Sequence, residues 1–380
     1  MKRRREPKSG KKRMPMRILS WAGIVLLGLL LAPVVGFVTV RTIHRRLIRI
    51  TDENGIEEER FVSLGGQEQY VLIRGADVRN PVLLWLHGGP ASPDAFLNHD
   101  FSRHLEQAYT VVCWDQRGCG RTYYRNRAAD PDNQTATFDR AQKDLDELVD
   151  YLHARFSPQQ LVLIGHSYGT VLGSKYALTH PEKIDAFIGV GQVTSLYGGE
   201  RYSYSDALRR AKEKGDDTAK LEEAFQTAEA EPTLLNWLRL RARVAPYHRA
   251  PREKNQLWIG LRSPYLGWDN LRWFLKTQHL DSFIDRNKQL CDYVLTLEDV
   301  RTYGTMYAVP VGIVMGENDW VTPEGLAQGY YANIDAPKKT YAAMEGCGHS
   351  PQHDDPEAFA STVKAMLKTL LPSEEPTPAG

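Results

Sequence analysis

The chain has 380 residues, 42% of them hydrophobic and 25% charged, with a formal net charge of +1. That length exceeds one small core and suits one large domain carrying an insertion, and the composition is ordinary for a globular protein. A net charge so close to zero excludes a general attraction to nucleic acid.

The charge is unevenly spread. Lys2, Arg3, Arg4, Arg5, Lys8, Lys11, Lys12, Arg13 and Arg17 crowd the N-terminus. The next 23 residues, Ile18 to Val40 ("ILSWAGIVLLGLLLAPVVGFVTV"), carry no charge. At about 1.5 Å per residue a helix of this length crosses a hydrocarbon layer of about 30 Å. Trp21 stands where an interfacial aromatic belongs, and Pro33 is tolerated in such helices. The basic cluster before the span outweighs Arg41, Arg45, Arg46 and Arg49 after it. The N-terminus is therefore expected in the cytoplasm and the rest of the chain outside it, held by one span in the cell membrane. The rival reading is a cleaved signal peptide. The apolar run is longer than a typical signal core, and no small-x-small cleavage site stands out.

After a charged connector or first strand, "ITDENGIEEER", strand-like runs follow at Glu68–Arg74, Pro81–His87, Tyr109–Asp115, Leu161–Gly165, Ile184–Val190, Val309–Met315 and Thr340–Met344. Most are short apolar blocks, the pattern of strands covered on both faces. Phe138–Phe156 reads as a helix, with Leu145, Leu148, Val149 and Leu152 at helical spacing and Thr137 as a cap. Tyr168–His180 and Pro356–Leu371 are two more. The alternation predicts a mostly parallel sheet flanked by helices.

The alternation breaks between about Leu196 and Arg301, where several helices form a cap. Trp237, Trp258, Trp268 and Trp273 fall here. They either build a core for the cap or line a substrate pocket. Cys113, Cys119, Cys291 and Cys347 have neither metal nor disulfide spacing. Cys113 lies in a strand-like run as a small apolar residue, and no obligatory bridge is expected. The tail, 373–380, is expected to be disordered.

"LVLIGHSYGTVLG" at 161–173 places Ser167 between Gly165 and Gly169, after a strand and before a helix. This G-x-S-x-G turn is a nucleophile elbow, which lifts the serine hydroxyl above the sheet edge. A serine hydroxyl needs a base, found later in the chain with its acid. "VPVGIVMGENDWVTP" ends a strand at Glu317 and Asp319, and "YAAMEGCGHSPQHDD" ends one at His349. Residues at the carboxyl ends of parallel strands share one edge, so Ser167, Asp319 and His349 can converge. Glu317 and His353 are their rivals, whereas His166 and His180 read as structural. The oxyanion needs backbone donors. The N–H of Tyr168 is one, and "LLWLHGGP" supplies Gly88 or Gly89 as the other, because Pro90 has none.

"HGGP" at 87–90, "DQRGCG" at 115–120, "GHSYG" at 165–169, "GENDWVTP" at 316–323 and "GCGHS" at 346–350 together resemble the α/β-hydrolase superfamily, and within it the prolyl aminopeptidase (proline iminopeptidase) group. The likeness runs from Phe61 to Leu371. It implies an α/β-hydrolase fold with a helical cap inserted after the sixth strand. It implies nucleophile Ser167, base His349, acid Asp319 and oxyanion donors Gly89 and Tyr168. It also implies removal of an N-terminal residue, often proline, from short peptides, without metal or cofactor. The group's usual elbow is Gly-Gly-Ser-Trp-Gly, and its first loop usually continues His-Gly-Gly-Pro-Gly; here they read "GHSYG" and "HGGPA". The group holds the substrate amine with cap carboxylates, for which Glu200 in "LYGGERYSY" is a candidate. The expected organisation is a basic segment 1–17, an anchor 18–40, a hydrolase core in two parts, 41–195 and 301–372, and a cap 196–300. A carboxylesterase-like hydrolase of small acyl esters or amides is the alternative reading.

Overall fold

The computed structural model describes residues 16–371, with the side chains of 16–28, 30, 33 and 34 outside that description. The first 15 residues, and with them most of the basic cluster, lie outside the described residues, as does the tail from 372. Helix α1 (Met16–Leu47) contains the whole uncharged run. Most side chains of that run are outside the description, Trp21 included. Among the described residues, no helix is long and apolar enough to cross a membrane.

Eight strands follow: β1 (Ile56–Leu64), β2 (Gln67–Gly75), β3 (Val82–Leu86), β4 (Thr110–Trp114), β5 (Leu161–His166), β6 (Ala186–Val190), β7 (Val311–Gly316) and β8 (Lys339–Met344). They form one sheet in the order β1-β2-β4-β3-β5-β6-β7-β8. The "GIEEER" stretch is a strand, not a connector; it joins β2 antiparallel, and β2 joins β4 antiparallel. All remaining pairs are parallel.

Strands β3 to β6 are buried along their whole length. Alternation divides their side chains between two cores. On one face Leu84, Leu86 and Leu163 meet Leu145 and Leu148. On the other, Leu83, Trp85 and Ile164 meet Phe359 and Val363. Those partners come from helices. The short α2 (His99–Ser102) and α3 (Gly120–Asn126) precede α4 (Phe138–Phe156), which carries Leu145 and Leu148. Thr137 caps α4 by accepting from the Arg140 N–H at 3.1 Å. Helix α5 (Tyr168–Thr179) starts directly after the elbow.

Between β6 and β7 the chain makes seven helices: α6 (Leu196–Lys214), α7 (Ala219–Ala230), α8 (Leu234–Val244), α9 (Gln256–Arg262), α10 (Trp268–Thr277), α11 (Leu280–Arg286) and α12 (Lys288–Thr296). Helix α13 (Glu324–Asn333) then connects β7 to β8. The single turn α14 (Pro351–Asp354) precedes α15 (Pro356–Leu370), which carries Phe359 and Val363.

The tryptophans of the insertion divide between two fates. Trp237 and Trp273 are buried, whereas Trp258 and Trp268 are 62% and 71% exposed. All four cysteines are free and buried. A buried ionic cluster fixes the loop after β4. Arg117 donates to both oxygens of Asp144 on α4, at 2.6 and 2.9 Å, and Gln69 and Arg140 donate to the same carboxylate.

Candidate active site

Strands β3, β5, β6, β7 and β8 run parallel, so their carboxyl ends share one edge of the sheet. At the end of β5 the chain turns so sharply that Ser167 adopts φ 53° and ψ −122°. A non-glycine residue there is strained, and the surroundings must hold it. The flanking glycines make the turn possible through close packing. A Cβ on Gly165 would sit 2.3 Å from the carbonyl oxygen of Gly169, and one on Gly169 would sit 2.2 Å from that of Leu86. The Ser167 N–H donates to the Val190 carbonyl at 2.9 Å, tying the elbow to β6.

The loops after β7 and β8 bring the other two side chains to Ser167. His349 Nε2 lies 2.9 Å from Ser167 Oγ, and His349 Nδ1 lies 2.9 Å from Asp319 Oδ2. Asp319 is acceptor-only, so its partner Nδ1 carries the proton and Nε2 presents a lone pair to the hydroxyl. Asp319 also accepts from the N–H groups of Val321 and Thr322 and from the Thr322 hydroxyl. Burial pushes its carboxyl up, but the His349 imidazole and the hydrogen bonds from His349 and Thr322 outweigh this. They hold it below the usual carboxylate range.

The rivals stand elsewhere. Glu317 accepts from the Gly346 N–H at 3.2 Å and so steadies the turn that carries His349. His353 is buried beside Phe101, with Nδ1 3.8 Å from Asp100. His166 donates from Nε2 to the His349 carbonyl at 2.9 Å and stacks on Trp85. Burial, and then the neighbouring His349 imidazole, push it down to about 3, so it stays neutral. His180 stacks on Tyr176 at the end of α5.

Gly88 and Gly89 follow β3. Gly89 has φ 117°, a conformation that favours glycine. Its N–H and that of Tyr168 donate to no acceptor among the described residues. Tyr168 opens α5, where the helix dipole adds positive potential. His87 fixes the loop from beneath. Its Nδ1 donates to the Gly88 carbonyl at 2.8 Å, and its Nε2 accepts from the Gln116 N–H at 3.2 Å.

The helical insertion roofs this edge. A cleft of about 790 Å³ reaches His349 and Ser350 between Trp320, His248 and α9. A smaller apolar recess joins Ser167 and Tyr168 to Trp237, Leu238, Glu200 and Arg241. Glu200 is not a solvated charge: it is 4% exposed and accepts from Arg241 Nε. Burial raises its carboxyl above the usual range, and the Arg241 charge pulls it part of the way back. Arg241 and Thr322 were not foreseen from the sequence, and His166 was read there as structural. Thr322 sits inside "GENDWVTP" and His166 inside "GHSYG", whereas Arg241 lies in none of the motifs.

Residues 81–356 match the family model for the alpha/beta hydrolase fold. The chain is 27% identical over 327 residues to the probable aminopeptidase YbaC of Bacillus subtilis (strain 168), covering 85% of this chain and 100% of that one. It is 34% identical over 110 residues to a probable proline iminopeptidase of Streptomyces coelicolor, but that match spans only 29% of this chain and 32% of the relative. Among solved structures, a proline iminopeptidase-related protein from Thermus thermophilus superposes with a TM-score of 0.57 at 22% identity, over 83% of this chain and 99% of its own. The match of the family model across strands β3 to β8, the elbow and both partner loops leaves one conclusion: the chain belongs to the alpha/beta hydrolase fold family.

Proposed function

We propose that this protein is a membrane-anchored serine hydrolase that removes an N-terminal residue from short peptides through an acyl-enzyme. The observation that carries the reading is the continuous chain from Ser167 Oγ through His349 to Asp319, with both links at 2.9 Å. Ser167 attacks the scissile carbonyl while His349 Nε2 takes its proton. The oxyanion that forms is stabilised by the N–H groups of Gly89 and Tyr168, neither of which donates to an acceptor among the described residues. His349 then protonates the leaving amine, the bond to nitrogen breaks, and the acyl group stays on Ser167. A water activated by the same imidazole releases it. Asp319 holds the tautomer and balances the imidazolium.

The similarity to a probable aminopeptidase over the whole of that relative supports the peptidase reading. So does Glu200, a buried carboxylate in the recess that Ser167 shares. Arg241 occupies one of its oxygens, and the other can receive a substrate ammonium. The small, apolar recess fits one compact N-terminal side chain such as that of proline. The anchor is supported by the uncharged run within α1 and by Leu29, Leu31, Val35, Val38 and Val40, which all stand exposed on that helix. The charge asymmetry around the run supports an active site on the extracytoplasmic side.

The test is a substrate panel on the full chain in detergent, with Ser167→Ala as control. Prolyl arylamide cleavage that disappears in the variant is expected. Rapid turnover of simple acyl esters without any arylamide cleavage would replace the peptidase reading with the esterase one.

A further inference from the structure

Two of the insertion's four tryptophans are spent on no core. Trp258 on α9 and Trp268 on α10 are 62% and 71% exposed, and Leu257, Phe274 and Leu275 are 58%, 62% and 59% exposed. On α10 the residues Trp268 and Leu275 lie on the side opposite to buried Asn270 and Trp273, and exposed Phe274 flanks that side. An apolar surface of this kind normally marks an interaction.

What lies beside it is the end of α1. Arg41 donates to the carbonyls of Ser263, Pro264 and Leu266 at 2.9, 3.0 and 2.8 Å. Those three residues are the link between α9 and α10, and α1 also packs on α9 itself. The first helix therefore leaves the body of the protein at the root of the exposed aromatic face. Its own Val38, Val40, Ile43 and Leu47 stand exposed there. Arg45, Arg46 and Arg49 are exposed at its end, and Arg262 is exposed at the end of α9.

We propose that the face carrying Leu257, Trp258, Trp268, Phe274 and Leu275 rests in the headgroup region of the bilayer that α1 enters. The proposal builds on the anchored reading above. Tryptophan is the side chain best suited to that layer, because its ring is apolar and its N–H wants a polar partner. The exposed arginines fit anionic lipid headgroups. Leu257 and Gln256 also line the cleft of about 790 Å³ that reaches His349, so the rim of the cleft lies at the lipid surface. The substrates favoured by this geometry are amphiphilic ones, concentrated at that surface before they reach Ser167.

Spin labelling of the full chain tests this in nanodiscs of phosphatidylcholine and phosphatidylglycerol. The native cysteines are buried and out of a label's reach. Labels go at Trp258→Cys, Trp268→Cys and Leu275→Cys, with two references. Val35→Cys reports the anchor, and Met306→Cys, 78% exposed before β7, reports water. Collision rates are measured with oxygen, which partitions into lipid, and with a water-soluble nickel chelate. The expected result is oxygen dominance at 35, 258, 268 and 275 and nickel dominance at 306. Oxygen dominance at 35 with nickel dominance at 258 and 268 would overturn the docking while leaving the anchor intact. Nickel dominance at 35 would remove the anchor and the docking together. Shielding of 258 and 268 from both reagents, with spin–spin broadening between copies, would show that a second chain covers the face and would likewise overturn the proposal.

Discussion

Arg241 donates from Nε to Glu200 inside the wall of the recess that holds Ser167, and the glutamate is 4% exposed. A carboxylate so placed is costly to bury, and burial raises its pKa despite the guanidinium. It is therefore poised to gain from a second cation. If the substrate amine is that cation, Glu200→Gln removes a charged hydrogen bond worth about 1.5–3 kcal/mol, or about 10- to 100-fold in kcat/KM. The loss is expected for prolyl arylamide and not for an ester of similar size that lacks the amine. Equal losses on both substrates would show that Glu200 acts only in folding.

His166 offers a test of positioning. It touches no reacting atom, but its Nε2–H holds the carbonyl of His349 at 2.9 Å. Held down to about 3, it does not titrate in the working range and adds no proton of its own to the acid limb of kcat/KM. His166→Phe is expected to lower kcat about tenfold, the cost of one neutral hydrogen bond of roughly 1 kcal/mol with some displacement of the base. The limb should keep its unit slope. A slope near two in the parent protein would mean that a second group titrates with the base.

The Arg117–Asp144 pair holds the loop after β4 to α4, and its side chains are 4% and 0% exposed. Arg117→Ala strands a buried carboxylate, which typically costs about 3–5 kcal/mol. Arg140 and Gln69 remain as partners, so the lower end of that range is expected. Urea unfolding should show a lower midpoint with an unchanged slope. A shift below about 0.5 kcal/mol, the scale of surface changes, would contradict the role given to this cluster.

Asp115 directly follows β4, and its Oδ1 has no hydrogen-bond partner among the described residues. Burial pushes its carboxyl up to about 7, against the pull of Arg121. The sign follows from linkage: an acid whose pKa is raised by folding penalises the folded state once it ionises. The penalty is absent below pH about 4, the usual range of an unfolded aspartate, and grows until the pH has passed about 7. Asp115→Asn removes the charge and supplies a donor. Its Tm relative to the parent should rise more at pH 8 than at pH 5. A pH-independent difference would show that the carboxyl is not buried in this way.

Much of the site was legible in the sequence because it depends on local patterns. The elbow is readable from Gly165 and Gly169, since only small residues tolerate the approach of Leu86 and Gly169 backbone atoms. Helix α4 was readable to the residue, from its apolar period and the Thr137 cap. Asp319 and His349 followed from the shared edge of parallel strands. Illegible were the contacts that depend on how distant elements meet. The Glu200–Arg241 pair joins α6 to α8 across 41 residues, and Arg41 reaches carbonyls more than 220 residues away. No period or motif encodes such pairs. Helix α13 escaped for a different reason: "EGLAQGYYAN" carries two glycines and few apolar residues in register, and its burial rests on Ala327 and Tyr330 alone. The fates of the tryptophans were also hidden, because composition does not say which face of α9 or α10 meets the core.

The nucleophilic role of Ser167 is tested most directly by intact-mass analysis after reaction with a fluorophosphonate. One adduct per chain is expected, mapped by peptide sequencing to Ser167, absent in Ser167→Ala and strongly slowed in His349→Ala. No adduct in the folded parent protein, or an adduct that persists in Ser167→Ala, would contradict the account.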